Sequence, residues 1–533
     1  MGTDLSAAKA TNSELMDAIE ELQTSEPDPI PDPNEPAPEP DPEPDPEPPS
    51  DPNEPLVVGA VPLYRHDPDS ARYARLAAAV KASPTSFRPD MRAFFGECET
   101  AISGSDWHVN QVDRVARNSY LNAGREFSYV FLTMAWCDVP AGLEEKWTAW
   151  GRRHLGNMPG DGNRNIGMWW RDSDTEQRWS RDNPANNYWH AFFKATTSYV
   201  LATGDPVYMD FMRNDRIPLV KSYYERNPGG GSREGTDYGK SHRDLLQAAA
   251  LWRDHDRTEA LPQEFIDSTL RFWVQALLPD LRSTVVLGDQ AGSKSRVEGY
   301  YCDVLDNALQ LAKADDAIAM GRWALHAVED QCQESNSTYR HLFLHDWPEA
   351  PKPDMPLEYY AQDAGVLISR SSWDDDATLT AYQFGRLGEA HQCDAMGSFQ
   401  VWSNGRWQTV GDHRWRRNGL CAKDARTQNV IQFAGVTSQI RGSTTELEYS
   451  LEGNRLEVHL KLSAAAGRPW LRNVYWDKGV NRMVIEDHLA SSESGEFVLQ
   501  KPGPDDQDAP YESMAAALTE PTEFGLRSVV TWP

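Results

Sequence analysis

The chain has 533 residues, 81 Asp and Glu against 52 Lys and Arg, and a formal net charge of −29. That length can bury a large core and support more than one domain. The charge excludes nucleic acid and anionic membrane as general partners, but a locally positive cleft can still take an anionic polymer.

Aromatic residues are abundant: 19 Trp, 19 Tyr and 16 Phe. Such rings stack on sugars and also fill ordinary cores. Six cysteines stand at 98, 137, 302, 332, 393 and 421, with no CxxC pair, so no disulfide framework is expected. No apolar run is long enough to span a membrane.

Residues 1–25 contain "NSELMDAIEEL", which puts Leu15, Ile19 and Leu22 on one helical face. This start lacks the basic and apolar segments of a signal peptide. The expectation is a short docking peptide or a frayed tail. Residues 26–56, "EPDPIPDPNEPAPEPDPEPDPEPPSDPNEP" and its flank, alternate proline with acid. Proline removes amide donors and like charges repel, so a disordered, extended stalk is expected. Together these segments suit an extracellular or virion-associated protein that docks its N-terminal peptide on a larger assembly.

From 57 to 350 the apolar residues recur at three- and four-residue spacing, as in "YWHAFFKATTSYVLATG" and "SHRDLLQAAALWRDH". Helices in series without strands predict stacked helical hairpins. From 351 to 533 the period shortens in runs such as "ATLTAYQFG" and "LEYSLEGNRLEVHLKL", the second a hairpin. The fold class expected is α+β, with a helical toroid followed by an antiparallel β-sandwich.

Three clusters carry candidate chemistry. In "DNPANNYWHAFF", Asn186, Asn187, Tyr188, Trp189 and His190 crowd a helix start. An amide can bond a carboxyl group, and an imidazole can move a proton near neutral pH. The same residues also read as an N-cap with buried rings. In "GGGSREGTDYGKSHRDLL", Arg233, Tyr238 and His242 follow a glycine-rich loop, where an arginine can stabilise a phenolate. In "GEAHQCDAMGSFQVWSNGRWQTVGDH", His391, Cys393 and Asp394 fall at a turn between strands. Asp412 and His413 lie nearby, and the spacing is not a zinc signature. Trp169, Trp170 and Trp179 in "MWWRDSDTEQRW" offer stacking rings, with Arg164, Arg171 and Arg178 as a positive floor.

Over roughly residues 60–533 the chain resembles the uronate polysaccharide lyases that join an (α/α) toroid to an antiparallel β-sandwich, the heparinase II/III-like and oligo-alginate lyases. "NNYWHAFFKATTSYVLATGDP" is similar to the asparagine–histidine helix of toroid alginate lyases, and "REGTDYG" to their arginine–tyrosine loop. "HQCDAMGSFQVWSNGRWQTVGDH" resembles the β-domain segment that opens with an active-site histidine.

The resemblance implies β-elimination on a uronate polymer, with alginate favoured. Asn187 would neutralise the substrate carboxylate, Tyr238 would give or take the proton, Arg233 would bias Tyr238, and His391 would reach in from the sandwich. The family places histidine directly after the second asparagine, where Tyr188 stands here. Two positions along a helix rotate a side chain by ~200°, so His190, Tyr188 and His391 all remain candidates for the imidazole role. Tyr188, Trp189, Trp169, Trp170, Trp179, Arg171, His242 and Glu298 are the candidate substrate contacts. No cofactor is expected. The family's zinc pattern is broken by Cys393 and Gln428, leaving only a structural metal near Cys393 and Asp412. Two other readings stay open: a glycoside hydrolase, for which Glu298 is a candidate carboxylate, and a non-catalytic carbohydrate-binding protein.

Overall fold

The computed structural model describes residues 71–115, 120–155, 170, 182–288, 290, 296–297, 299–334, 347–387, 391–411, 413, 428–433, 439, 444–465, 468–489, 495–497, 499–500, 516–522 and 525–532. The N-terminal peptide and acidic stalk lie outside these residues.

The described helices run from Ala71 to Glu334, and the described strands from Glu358 to Thr531. Four helices form the wall of the site: α1 (Tyr120–Trp136), α2 (Asn187–Thr203), α3 (His242–Asp256) and α4 (Gly299–Leu309). They pack in that order, α1 on α2, α2 on α3 and α3 on α4. All four point the same way. Gly124 of α1 meets Ala191 of α2, each in the second turn. His190 of α2 bonds Ser241 at the start of α3, and Arg243 of α3 reaches Asp303 of α4. Their N-termini therefore gather at one end of the helical unit.

Helix α2 is buried on nearly every side; only Tyr188 and Thr203 are partly exposed. Such all-round burial suits a helix enclosed by other helices. Trp189, Phe192, Phe193 and Tyr199 join its core, each contributing about 1.5–3 kcal/mol by burial. The hydroxyls of Thr196, Thr197 and Ser198 donate to the carbonyls of Phe192, Phe193 and Lys194, so polar side chains sit there without orphaned donors.

The strands form three antiparallel sheets. The first is five-stranded in the order β1 (Glu358–Ala361), β2 (Val366–Arg370), β3 (Leu379–Gln383), β5 (Phe399–Ser403), β6 (Arg406–Thr409). The second is seven-stranded: β13 (Ala516–Thr522), β14 (Gly525–Thr531), β11 (Arg482–Leu489), β10 (Arg468–Asp477), β9 (Arg455–Ala465), β8 (Thr444–Glu452), β4 (Gly385–Arg386). The third pairs β12 (Gly495–Phe497) with β7 (Ile431–Phe433).

Leu367, Tyr382, Phe399 and Val401 from the first sheet share one core with Val458, Leu460, Trp470 and Ile485 from the second, which makes a sandwich. The other face of the first sheet, with Val366, Ile368, Leu379 and Ala381, joins the helical core. Strands β2, β3 and β5 are thus buried on both faces, unlike β11, whose burial alternates. Arg370 on β2 seals the junction. It donates to the carbonyls of Gln275 and Leu277 at a helix end, and burial pulls its guanidinium down to about 9. The fold is an (α/α) toroid joined to an antiparallel β-sandwich, as the sequence leads one to expect. Among the described residues no helix is long and apolar enough to cross a membrane.

Among the described residues, two disulfides correct the cysteine reading. Cys98 pairs with Cys137, and Cys302 with Cys332, with Cα atoms 5.5 and 6.2 Å apart. The partners are 39 and 30 residues apart in sequence, so no short spacing betrayed them. Cys393 is buried beside Ala395.

Candidate active site

The start of α2 is built by capping. Asn186 has extended backbone (φ −85°, ψ 135°), and its Oδ1 accepts the Tyr188 N–H at 2.9 Å. Glu234 takes the next donors. Its Oε2 accepts the Asn187 N–H at 2.8 Å and its Oε1 the Asn186 Nδ2–H at 2.9 Å. Asn187 is 2% exposed, and its Oδ1 is buried with no hydrogen-bond partner. An unsatisfied buried carbonyl oxygen costs about 1–3 kcal/mol; it can only accept, whereas the Nδ2–H₂ of the same amide can donate to an anion.

The loop after Glu234 carries Tyr238, at the head of a short 3₁₀ turn (Tyr238–Ser241) that leads into α3. The Thr236 N–H donates to Leu287 O at 2.9 Å, and the Thr236 hydroxyl to Val285 O at 2.8 Å. The segment around Leu287 also binds the sandwich. The Val286 N–H donates to Gln400 Oε1, the Gln290 N–H to His413 O, and His413 Nδ1 to Gly288 O. One segment therefore ties the tyrosine loop to the strands.

Across that splice, the Tyr238 and His391 rings stack with centroids 3.6 Å apart and planes 11° apart. Both are half-buried. His391 has φ +64°, an uncommon left-handed conformation that histidine tolerates better than most residues. Its turn is clamped from below. Gln439 donates to Met396 O and accepts the Met396 N–H, while Asp394 accepts the Gln439 N–H. The turn's last carbonyl, on Gly397, accepts from Arg472, which is fully buried in an ion pair with Asp487. A phenol and an imidazole from two different folds thus present their edges side by side.

Arg233 donates to Asn227 Oδ1. It lines a groove of about 410 Å³ with Tyr360, Asp363, Gln392, Glu446 and Glu448. Asp363 is almost fully buried, and burial pushes its carboxyl up to about 7.

His190 lies behind this wall, fully buried. Its Nδ1 faces Ser241 Oγ at 2.8 Å, and its Nε2 faces Pro184 O at 2.9 Å and Tyr224 Oη at 3.2 Å. Burial pushes it down to about 4. Both ring nitrogens are engaged within the protein, so the ring is an anchor for α2. His242 is also buried, 5.2 Å from the His190 ring, and burial lowers its pKa well below the usual histidine value. Trp189 stacks on Phe193 at 4.8 Å in the core. Trp170 is 4% exposed, with its Nε1–H on Thr196 and the Arg216 guanidinium over its ring. Neither indole offers a free face to a sugar. Tyr188 is half-buried with its ring edge-on to Phe192. Trp169, Arg171, Trp179, Glu298 and Asp412, with Arg164 and Arg178, fall outside the described residues. Among the described residues no group of three His, Cys, Asp or Glu side chains is placed to hold a metal.

Basic residues that sequence reasoning missed stand on the same helices. Arg125 of α1 and Lys194 of α2 both reach Asp244 of α3, at 2.8 and 3.1 Å. Burial alone would raise the Asp244 carboxyl, but Lys194, Arg125 and Arg243 outweigh it and hold the group well below the usual carboxylate range. Arg243 stacks on Tyr300, 3.6 Å above the ring centroid. Arg88 and Arg125 keep 15% and 19% of their side chains exposed. Glu234 was also missed as a functional residue, though it stands in the quoted "REGTDYG".

The chain shares its fold with heparinase III. Over 86% of this chain and 73% of that one, the TM-score is 0.51 at 13% identity. The heparan sulfate lyase HepC from Pedobacter heparinus is similar at TM-score 0.47 and 12% identity, over 80% of this chain. The chain spans 63% of the length of that lyase. No protein-family model matches the chain, and no curated protein matches it in sequence.

Proposed function

We propose that the chain is a polysaccharide lyase that cleaves a uronic-acid-containing polysaccharide by β-elimination. The observation that carries this reading is the Tyr238–His391 stack, with Asn187 at the head of α2 bonded through its N–H to Glu234 of the tyrosine loop. Elimination needs two things there. The uronate carboxylate must be held so that charge can spread into it as the C5 proton leaves, which is the work of an oxyanion hole. Asn187 supplies an uncharged amide for it. A proton must also leave C5 and another reach O4, which is the work of Tyr238 and His391. The C5–H electron pair forms the C4–C5 double bond, the C4–O4 bond breaks, and O4 leaves protonated. Arg233 borders the site, and the converging N-termini of α1 to α4 add a positive field for an anionic chain.

Alginate is the first substrate to test, because the asparagine helix is similar to that of alginate lyases. The likeness to heparinase III adds glycosaminoglycans. The paired disulfides suit work outside a reducing cytosol.

The test is a panel of alginate, heparan sulfate and glucuronan, with product analysis by mass and ultraviolet absorbance. At each cut a lyase leaves one fragment that is one water lighter than its hydrolysis counterpart and carries an absorbing double bond. Tyr238→Phe should cut turnover by roughly 10²–10⁴-fold while substrate binding persists. Saturated products from the wild type would replace the lyase with a hydrolase. Binding without any turnover would leave a carbohydrate-binding protein.

A further inference from the structure

The first turn of a helix leaves backbone N–H groups without partners, and a single capping side chain normally fills one or two. At α2 the work is divided between two elements. Asn186 Oδ1 serves Tyr188 N–H, and Glu234 serves both the Asn187 N–H and the Asn186 amide. The pattern fixes which way the Asn186 amide faces, since its oxygen meets a donor and its nitrogen an acceptor. It also needs a carboxylate at 234. Both partners of Glu234 are donors, so a glutamine would turn its own NH₂ toward one of them.

The consequence falls on Asn187. The backbone donors of residues 187 and 188 are met by other side chains, so the Asn187 amide is not spent on capping. Its Oδ1 stays unpartnered at 2% residue exposure, and the Nδ2–H₂ of the same amide is the donor that a carboxylate takes. Glu234 is itself 1% exposed and lies four residues before Tyr238 on the same loop.

We propose that Glu234 is a positioning residue for Asn187: it locks the first turn of α2 so that the Asn187 amide meets the substrate's carboxyl group in register with Tyr238. This rests on the lyase reading. It adds a direct link between the helix that holds the carboxyl group and the loop that moves the proton.

The test is a cycle in the full chain: Glu234→Gln, Asn187→Ala and the double variant, assayed on alginate and heparan sulfate. Glu234→Gln should lower kcat by roughly 10–100-fold, with KM changed far less, as expected for a displaced catalytic group. If Glu234 acts through Asn187, the double variant is no slower than Asn187→Ala alone. Losses that multiply would overturn the proposal. Backbone amide exchange gives a readout independent of turnover. Glu234→Gln should speed exchange at residues 187 and 188 and leave the later turns of α2 protected. Unchanged exchange would sink the idea even in an active enzyme. A wild type inert on both polymers, with exchange accelerated in the variant, would instead fault the lyase reading and keep the anchor.

Discussion

At the scale of single residues, Asp363 stands out because its environment opposes its charge. Its Oδ1 accepts the Ala364 N–H at 2.7 Å, while its Oδ2 is buried without a partner. Burial raises its pKa from 3.8 to about 7, although backbone N–H groups and Arg233 pull the other way. The folded state therefore holds a proton that the unfolded chain has already lost between these values. Stability from this group is full below about pH 4, falls as pH rises toward 7, and stays low above it. The shift corresponds to about 4 kcal/mol. Asp363→Asn should match the wild type in melting temperature near pH 4 and exceed it increasingly up to pH 8. Parallel melting curves across that range would show that Asp363 is not held protonated. None of this was legible in the sequence, because Asp363 becomes unusual only when the helical and β regions close around it. The place of Asn187 was legible for the opposite reason: a helix start follows from local chemistry. The offset of His190 from the family position was legible too, and its two ring contacts show where that offset sends it.

At the scale of elements, the switch from three- and four-residue spacing to short strands was plain in the sequence. The depth of the strands was not. "ATLTAYQFG" reads as alternating, yet every residue of β3 is buried, since helices cover the face that water would otherwise wet. The splice around Leu287 has no periodic signal at all; its bonds run to side chains distant in sequence, Gln400 and His413 among them. Gly288 is a tight point in it. It has φ +67°, and an added Cβ would lie 2.3 Å from Glu234 O and 2.9 Å from His391 O. Gly288→Ala must therefore push the tyrosine loop away from the histidine turn. A displacement of this kind costs about 10²-fold in turnover. Gly405 is the control, with φ +74° and nothing within 4 Å of an added Cβ. Gly405→Ala should cost about 1–2 kcal/mol for its left-handed backbone and leave kcat alone. Equal effects on kcat from the two variants would mean that strain, not the Tyr238–His391 contact, was measured.

At the scale of the whole molecule, a chain of net charge −29 presents one end where four helix N-termini converge among Arg88, Arg125, Lys194 and Arg243. Composition could report only the total; the arrangement needed the fold. The same holds for the two disulfides among the described residues, which both lie in the helical unit. Cys98–Cys137 joins the start of one helix to the end of α1, and Cys302–Cys332 joins α4 to a later short helix, Glu329–Glu334. With the partners 39 and 30 positions apart, the chain-entropy model gives each bridge roughly 3–4 kcal/mol. The sandwich core contains neither of these bridges and, among the described residues, meets the helical core through the five-stranded sheet. Reduction should therefore lower the melting temperature of the helical unit by several degrees and move the sandwich far less, giving two resolved transitions in calorimetry where the oxidised protein shows closer ones. Alkylation of the denatured, unreduced chain should leave Cys98, Cys137, Cys302 and Cys332 unlabelled. A reductant that shifts both transitions equally would mean that the two units melt as one cooperative body. One that shifts neither, with all thiols labelled beforehand, would mean that the bridges do not form.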